Sequence, residues 1–289
     1  MISGPQEILT RATAREGDVA PMPRALLVFA HPGDETVALG ARLRRFRQAH
    51  LILATDGAPR DQADSRTHGF PSWIQYRDAR ARELDHMLTI AGVSNMAHES
   101  LGIPDQQASF QLPQLTRQIA EHIRSFRPEI VFTHPYEGGH PDHDACAFAV
   151  RYACALAASP SGIQMLIAEA ACYHAGPDGI KAEVFLAPPE PPPHAPPNGP
   201  QIIRKLSPGE QKRKRQRMDC FFTQRAALAR FPCAVERFRL APRYDFTRPP
   251  HPGPTYYDHF PWGITSGRFC RLAAEATREL RKEVGSAWG

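Results

Sequence analysis

The sequence lacks several features that would place the protein in a common class. No apolar run approaches the roughly 20 residues that a helix needs to cross a bilayer. Residues 1–23 contain no continuous apolar segment typical of a secretory signal. The phosphate-binding patterns G-x-x-x-x-G-K-[ST] and G-x-G-x-x-G are both missing. These absences argue against a membrane-spanning protein and a nucleotide-dependent enzyme, and we expect a cytoplasmic protein.

Paired cysteines are also missing, because none of the six cysteines stands in a C-x-x-C pattern. We interpret them as reduced and mostly buried thiols, not as disulfides or a thiolate metal site. The cysteines are Cys146, Cys154, Cys172, Cys220, Cys233 and Cys270.

The excess of positive charge is small, with 35 Lys and Arg against 30 Asp and Glu. Much of it lies in residues 212–217, which read KRKRQR. Aromatic residues that would stack on bases are not interleaved with this run, and no nucleic-acid-binding motif accompanies it. We therefore predict a solvated helix face and no nucleic-acid partner.

The order of apolar segments predicts an α/β fold. Short apolar runs bounded by proline or turn residues alternate with segments of helical spacing. Such alternation favours right-handed βαβ units in a Rossmann-like, doubly wound, mostly parallel sheet. The predicted strands are 24–30, 51–54, 98–102 and 129–133, and the predicted helices are 35–46, 76–91, 112–126 and 142–158.

The second half of the chain is less regular, and we predict a C-terminal extension of the same domain. Its predicted elements are strands at 169–173, 181–186 and 235–240, the last of them at the sheet edge, and helices at 207–230 and 269–284. With no repeat and no clear linker, we expect an N-terminal extension over 1–23 and a single domain over 24–289. Residues 188–200 contain eight prolines, which predicts a surface loop.

Two polar clusters follow predicted strands and contain the candidate metal-binding and catalytic residues. His31-Pro32-Gly33-Asp34-Glu35 follows the first strand, and Gly139-His140-Pro141-Asp142-His143-Asp144 follows the strand at 129–133. Ligands of doubly wound sheets bind beyond the carboxyl ends of the strands. If the strand order is 3-2-1-4-5, the two clusters meet. Two imidazoles and one carboxylate with an open position form a common ligand set for a catalytic zinc.

The residues of these clusters resemble the LmbE-like, or PIG-L, family of zinc-dependent N-deacetylases. The family's A-H-P-D-D-E appears as residues 30–35, and its H-P-D-H as residues 140–143. Weaker matches follow in the family's order, at 55–57, 80–93, 101–105 and 223–224. The resemblance implies one Zn²⁺ and a substrate that is an N-acyl amino sugar or a similar polar amide.

The resemblance also implies a role for each matching residue. His31, Asp34 and His143 would ligate the metal. His140 would stabilise the oxyanion, and Asp142 would orient His140. Arg80 and Asp105 occupy positions that hold sugar hydroxyls in relatives. From the residues alone, Arg80 and Glu83 equally suit a surface ion pair, Asp105 a turn, and Asp142 a charge at a helix N-terminus.

Gly33 departs from the family pattern. The first Asp of the family's D-D-E acts as general base, and glycine cannot take a proton. Three alternatives remain open. Asp142 acting through His140, or Asp56, supplies the base; the enzyme runs on metal-activated hydroxide alone; or the protein is a metal-binding pseudoenzyme or ligand-binding protein on the same fold. The sequence does not predict the oligomeric state.

Overall fold

The central element of the fold is a mostly parallel sheet. The computed structural model describes residues 4–158, 165–177, 179–187 and 200–284, and within them seven strands form this sheet in the order β3-β2-β1-β4-β5-β9-β8. Strands β6 and β7 pair separately. The strands are β1 (Ala25–Phe29), β2 (His50–Thr55), β3 (Ala97–Ile103), β4 (Ile130–Thr133), β5 (Leu166–Ala170), β6 (Tyr173–Gly176), β7 (Gly179–Ala182), β8 (Ile202–Lys205) and β9 (Val235–Leu240).

Helices cover both faces of the sheet, so both faces of the central strands are buried. The helices are α1 (Pro5–Ala12), α2 (Asp34–Leu39), α3 (Ala63–Thr67), α4 (Trp73–Ile90), α5 (Leu112–Phe126), α6 (Pro141–Ala158), α7 (Pro208–Met218), α8 (Arg225–Leu228) and α9 (Ser266–Val284). In β1, Leu26 and Val28 face a core with α5, α6 and α9, whereas Leu27 and Phe29 face α2 and α4. This alternation is the period of a strand, and it confirms the doubly wound α/β fold.

The predicted strand order is confirmed for the first five strands, which are parallel. The prediction that 235–240 is an edge strand is wrong. Strand β9 pairs antiparallel with β5 on one side and with β8 on the other, so β8 forms the edge. The four-residue β8 was missed because its short, charge-flanked sequence carries little apolar signal.

Two predicted helices are shorter than expected. The helix predicted at 35–46 ends at Leu39, and a separate 3₁₀ turn follows at Leu43–Phe46. Arg42 lies between these elements and is fully buried, where it pairs with Glu236 of β9. The helix predicted at 207–230 divides into α7, a 3₁₀ turn and α8.

The basic run in α7 is a solvated face only in part, which corrects that prediction. Its exposed residues are Lys212, Arg213 and Gln216. Lys214 is fully buried, with its Nζ 3.2 Å from Glu183 Oε1 and 3.5 Å from Glu236 Oε1. Arg217 donates to Glu16 Oε1 at 2.7 Å and to the Gly40 carbonyl at 2.5 Å. Part of the apparent positive excess is therefore neutralised inside the fold.

The N-terminal segment packs on the same core as the sheet. Leu9 and Ala12 of α1 are buried in the cluster that contains Leu27 and Phe29. The segment predicted as an N-terminal extension therefore packs against the sheet, and the division of the chain into domains stays a prediction. The predicted proline-rich loop lies outside the described residues except at Pro200. No helix within the described ranges is long and apolar enough to cross a membrane.

Candidate metal and active site

The two polar clusters meet at the switch point of the sheet. Strands β1 and β4 are neighbours, and their carboxyl ends lead into α2 and α6 on opposite faces. The loop after β1 carries His31 and Asp34, and the loop after β4 leads to His140 and His143. The crevice between such loops is where open α/β sheets bind ligands.

Asp34 lies at the centre of the cluster. Its Oδ2 is 3.2 Å from His31 Nδ1 and 3.3 Å from His143 Nε2. In a tetrahedral zinc site with bonds of about 2.0–2.1 Å, neighbouring ligand atoms are roughly 3.3–3.4 Å apart. These two distances are compatible with one divalent metal, and one ring nitrogen from each of His31, His140 and His143 also lies within 4.8 Å of the others. The structure brings together the three residues expected as ligands.

Two carboxylates lie within hydrogen-bond distance of His31 Nε2, the ring nitrogen that does not face Asp34. The His31 Nε2 atom lies 3.0 Å from Asp105 Oδ1 and 3.2 Å from Asp142 Oδ2. Burial alone would lower the pKa of His31, but the neighbouring carboxylates, Asp105 foremost, raise it well above its ordinary value. A carboxylate on the far nitrogen fixes the tautomer and orientation of many metal-binding histidines. Here Nδ1 is the atom left to face Asp34.

The expected role of Asp142 changes in the structure. Its Oδ2 lies 3.9 Å from His140 Nδ1, beyond hydrogen-bond distance. The carboxylate instead accepts from the backbone N–H groups of Gln106 at 2.6 Å and Ala108 at 3.0 Å, besides its contact with His31. The backbone N–H of Asp142 donates to His140 Nδ1 at 3.2 Å. Asp142 thus orients His31 through its carboxylate and His140 through its amide.

His140 is left as a neutral hydrogen-bond donor. Because Nδ1 accepts the Asp142 amide, the ring proton belongs on Nε2, which lies 3.7 Å from Asp105 Oδ1. Burial and the nearby His31 lower the pKa of His140 to about 3. A neutral imidazole with its N–H directed into a cleft is suited to stabilise an oxyanion.

Arg80 is hydrogen-bonded to two loops and does not form the surface ion pair with Glu83 that the sequence also allowed. It is buried and donates to the carbonyl oxygens of Gly57 and of Pro32, the latter at 3.0 Å. Its NH1 lies 3.7 Å from Asp105 Oδ2. Glu83, the expected alternative partner, accepts from the backbone and hydroxyl of Thr223.

Gly33 occupies a turn that favours glycine. Its φ is +109°, a value that L-residues rarely adopt, and a Cβ there would lie 3.7 Å from the Phe221 ring. Glu35 accepts the Gly33 N–H at 2.9 Å, and burial raises the pKa of Glu35 to about 7. Asp56, one proposed substitute base, is paired with Arg60 at 2.6 Å and does not line the site cavity.

His134 belongs to the cluster but was not predicted. Its ring stacks on His143 with centroids 3.8 Å apart and an interplanar angle of 7°. Its Nε2 accepts the Ala30 N–H at 3.0 Å and lies 3.3 Å from Asp34 Oδ2. His134 directly follows the strand next to β1, and that position was the signal that could have identified it.

The cluster opens into a cavity of about 300 Å³. Its polar side, which we call the floor, consists of His31, Asp34, Asp105, His140 and His143. Its aromatic side, which we call the wall, consists of Tyr173, Phe231, Tyr256, Phe260 and Trp262.

The wall is continuous with the floor. The Trp262 ring lies 4.9 Å from the His140 ring and stacks on Phe260 with centroids 4.5 Å apart. Tyr256, Phe260 and Trp262 are partly exposed. The cavity therefore offers a polar end and an aromatic end to one ligand.

The topology and the floor define an α/β protein with a metal-type donor set at the switch point of a doubly wound sheet. Residues 26–154 match the family described as PIG-L: GlcNAc-PI de-N-acetylase. This match agrees with the resemblance read from the motifs.

Relatives named as deacetylases match a little under half of the chain. A 1D-myo-inositol 2-acetamido-2-deoxy-alpha-D-glucopyranoside deacetylase of Streptomyces griseus is 30% identical over 165 residues, 49% of this chain and 51% of that protein. A protein of the same name from Segniliparus rotundus is 34% identical over 42% of this chain and 47% of its own. The chain thus spans about half the length of the curated relatives it matches.

Solved structures share the fold at low identity. A teicoplanin-pathway deacetylase has a TM-score of 0.56 at 16% identity, covering 77% of this chain and 99% of its own. GalB, a 4-carboxy-2-hydroxymuconate hydratase from Pseudomonas putida, has a TM-score of 0.53 at 16% identity, covering 77% and 98%. Because the fold hosts more than one activity, it supports the architecture alone.

Proposed function

We propose that this protein is a zinc-dependent hydrolase that removes the acetyl group from the amide nitrogen of an amino-sugar conjugate. The observation that carries this proposal is the placing of Asp34 Oδ2 within 3.3 Å of ring nitrogens of both His31 and His143, at the base of a cavity. The deacetylase names of the relatives point to the same chemistry.

His31, Asp34 and His143 would hold the metal. A bound zinc would supply Lewis acidity and would lower the pKa of a water to about 7. The residues around the ligands complete the site, since Asp142 and Asp105 fix His31, and the stacked His134 supports His143. His140 would donate its Nε2–H to the oxyanion that forms on the amide carbonyl.

Asp105 is our candidate for the base that Gly33 cannot provide. Because it contacts the nitrogen of His31 that faces away from the metal ligands, it would take the proton through one bridging water. Asp34, Asp64 and Asp105 are the carboxylates that line the cavity among the described residues. Asp34 is a proposed ligand. Within the part of the chain that the structure describes, Asp64 contacts His68 but none of the floor histidines, whereas Asp105 contacts both His31 and His140. In the free protein His31 holds the pKa of Asp105 well below its ordinary value, against the effect of burial. A ligand histidine must be neutral, so a bound metal would replace the imidazolium charge with its own, and Asp105 would stay ionised and able to accept a proton.

The cavity suggests how a conjugate would lie. The polar floor suits the sugar ring with its acetamido group, and Arg80 and Asp105 remain proposals for contacts to its hydroxyls. The aromatic wall suits the other part of the conjugate, since aromatic rings bury large apolar surfaces. The substrate would be a small molecule, and both the cytoplasmic location and the absence of a nucleic-acid partner remain predictions.

Gly33 favours one second candidate, a metal-binding protein of this family without hydrolytic activity. The two candidates differ in one assay, acetate release from a panel of N-acetylglucosamine conjugates that differ in the aglycone. The hydrolase releases acetate and the free amine in equal amounts. A protein that binds zinc and a conjugate but releases no acetate from any of them would be the non-catalytic relative.

A further inference from the structure

A second group of metal-binding side chains lies at the opposite end of β2 from the candidate active site. It consists of His50, Glu99 and His122. His50 is the first residue of β2, whereas the candidate active site lies beyond the carboxyl ends of the strands. Nothing in the proposed reaction uses this group.

The fold brings the three residues together by strand alternation. In the parallel pairing of β2 with β3, His50 is opposite Ala97, and Ile52 is opposite Glu99. Since side chains two residues apart share a face of a sheet, His50 and Glu99 lie on one face. Helix α5 covers that face, with the buried Ile119 and Ile123 in the same core as Ile52. His122 therefore lies above the two strands.

The distances suit a common cation. Glu99 Oε1 lies 3.0 Å from His50 Nε2 and 3.4 Å from His122 Nδ1. The two imidazole rings are nearly perpendicular, at 85°, with centroids 5.4 Å apart. A zinc ion about 2.0–2.1 Å from each nitrogen in tetrahedral geometry would place the centroids roughly 5 Å apart.

The stacked pair His134 and His143 is an instructive contrast. Its rings are parallel and only 3.8 Å apart, so a cation between them would lie out of both ring planes. Their lone pairs could not converge on it. Ring orientation thus distinguishes the His50–His122 pair, which can share a metal, from a pair that cannot.

The surroundings of His50, Glu99 and His122 allow a metal ion to bind there. Its side chains are between 19% and 43% exposed, which leaves room for water to complete the coordination. Burial lowers the pKa of His50 despite the nearby Glu99, and a neutral imidazole is the form that binds metals. The other charged pair nearby, His98 and Asp85, involves the opposite face of β3.

We propose that His50, Glu99 and His122 bind a second divalent transition metal of the zinc class. Two imidazoles and one carboxylate favour such a metal over Mg²⁺ or Ca²⁺, which prefer oxygen ligands. The ion would join strands β2 and β3 to helix α5. Strand β3 ends at Ile103, two residues before Asp105, so the ion would also steady the strand that leads to the floor.

The test counts zinc on the full chain and does not depend on catalysis. Protein is dialysed against micromolar free zinc, and bound zinc is measured by elemental analysis. We expect two zinc ions per chain in the natural sequence, and one in His122→Ala and in Glu99→Gln. The matched control His98→Ala, a histidine on the other face of the same strand, keeps two. Zinc should raise the melting temperature of the control more than that of His122→Ala.

A second series separates this proposal from the proposed function. We call the site of His50, Glu99 and His122 the distal site. The Asp34→Asn variant should bind one zinc ion, at the distal site, and the double variant Asp34→Asn with His122→Ala should bind none. If His122→Ala and Glu99→Gln bind as much zinc as the natural sequence, the distal site does not exist, whatever the enzyme assay shows. If zinc binding follows the proposal but no acetate is released, only the proposed function fails.

Discussion

The floor and the wall of the cavity come from different parts of the chain and are built differently. The floor residues lie within residues 26–154, which match the PIG-L family, at the ends of parallel strands. The wall residues lie between Tyr173 and Trp262, in the less regular part that follows β5. The floor lies in the part of the chain that matches a family, whereas the wall lies outside it. Under the proposed function, the floor would carry out the reaction and the wall would select the conjugate.

The largest effect should come from Asp105 on the floor. If Asp105 is the base, Asp105→Asn should lower kcat about 10²–10⁴-fold with little change in KM. The matched control is Asp64→Asn, which removes another cavity carboxylate and should change kcat by less than about 3-fold. Steady-state kinetics on one conjugate measure both. A rise in KM alone would assign Asp105 to binding sugar hydroxyls and would leave the base unassigned.

A smaller effect, on stability, is expected at Gly33, which lies between the floor residues His31 and Asp34 and close to the Phe221 ring. Because the φ of Gly33 is +109°, both Gly33→Ala and Gly33→Asp should lower the free energy of unfolding by roughly 1–3 kcal/mol. Denaturant titration measures this change. Only Gly33→Asp restores a carboxylate, so its turnover relative to Gly33→Ala isolates the lost base. Equal turnover of the two variants would show that another residue, such as Asp105, already fills the role.

The smallest effect should come from the wall. Phe260→Ala removes a partly exposed ring that stacks on Trp262 without touching the metal cluster. We expect KM to rise about 5–10-fold for a conjugate with an aromatic aglycone, in keeping with an aromatic contact of about 1 kcal/mol. A methyl glycoside should show little change. An equal rise in KM for both substrates would mean that the wall maintains the structure of the floor instead of selecting the conjugate.

The sequence predicts the floor well because its residues stand in short motifs at strand ends. His31, Asp34, His140 and His143 could be placed together once the strand order was inferred. The partners of Asp142 could not, because Gln106 and Ala108 belong to a loop with no motif of its own.

The rest of the fold depends on pairings between distant residues. Lys214 looks solvated in the sequence, yet Lys214 and Arg42 are both buried against Glu236 of strand β9, which is almost 200 residues from Arg42. The wall aromatics have no periodic pattern, because they lie in β6 and in the irregular segments before and after β9. Long-range pairing of this kind leaves no local signal.

The most direct test of the account is zinc-dependent acetate release by the natural sequence and by Asp34→Asn. Both proteins are stripped with a chelator, dialysed, and assayed on an N-acetylglucosamine conjugate before and after zinc is restored. We predict no release after stripping, recovery with zinc in the natural sequence, and a loss of about 10³-fold or more in Asp34→Asn. Release that survives both chelation and the substitution would contradict a metal-dependent reaction at this site.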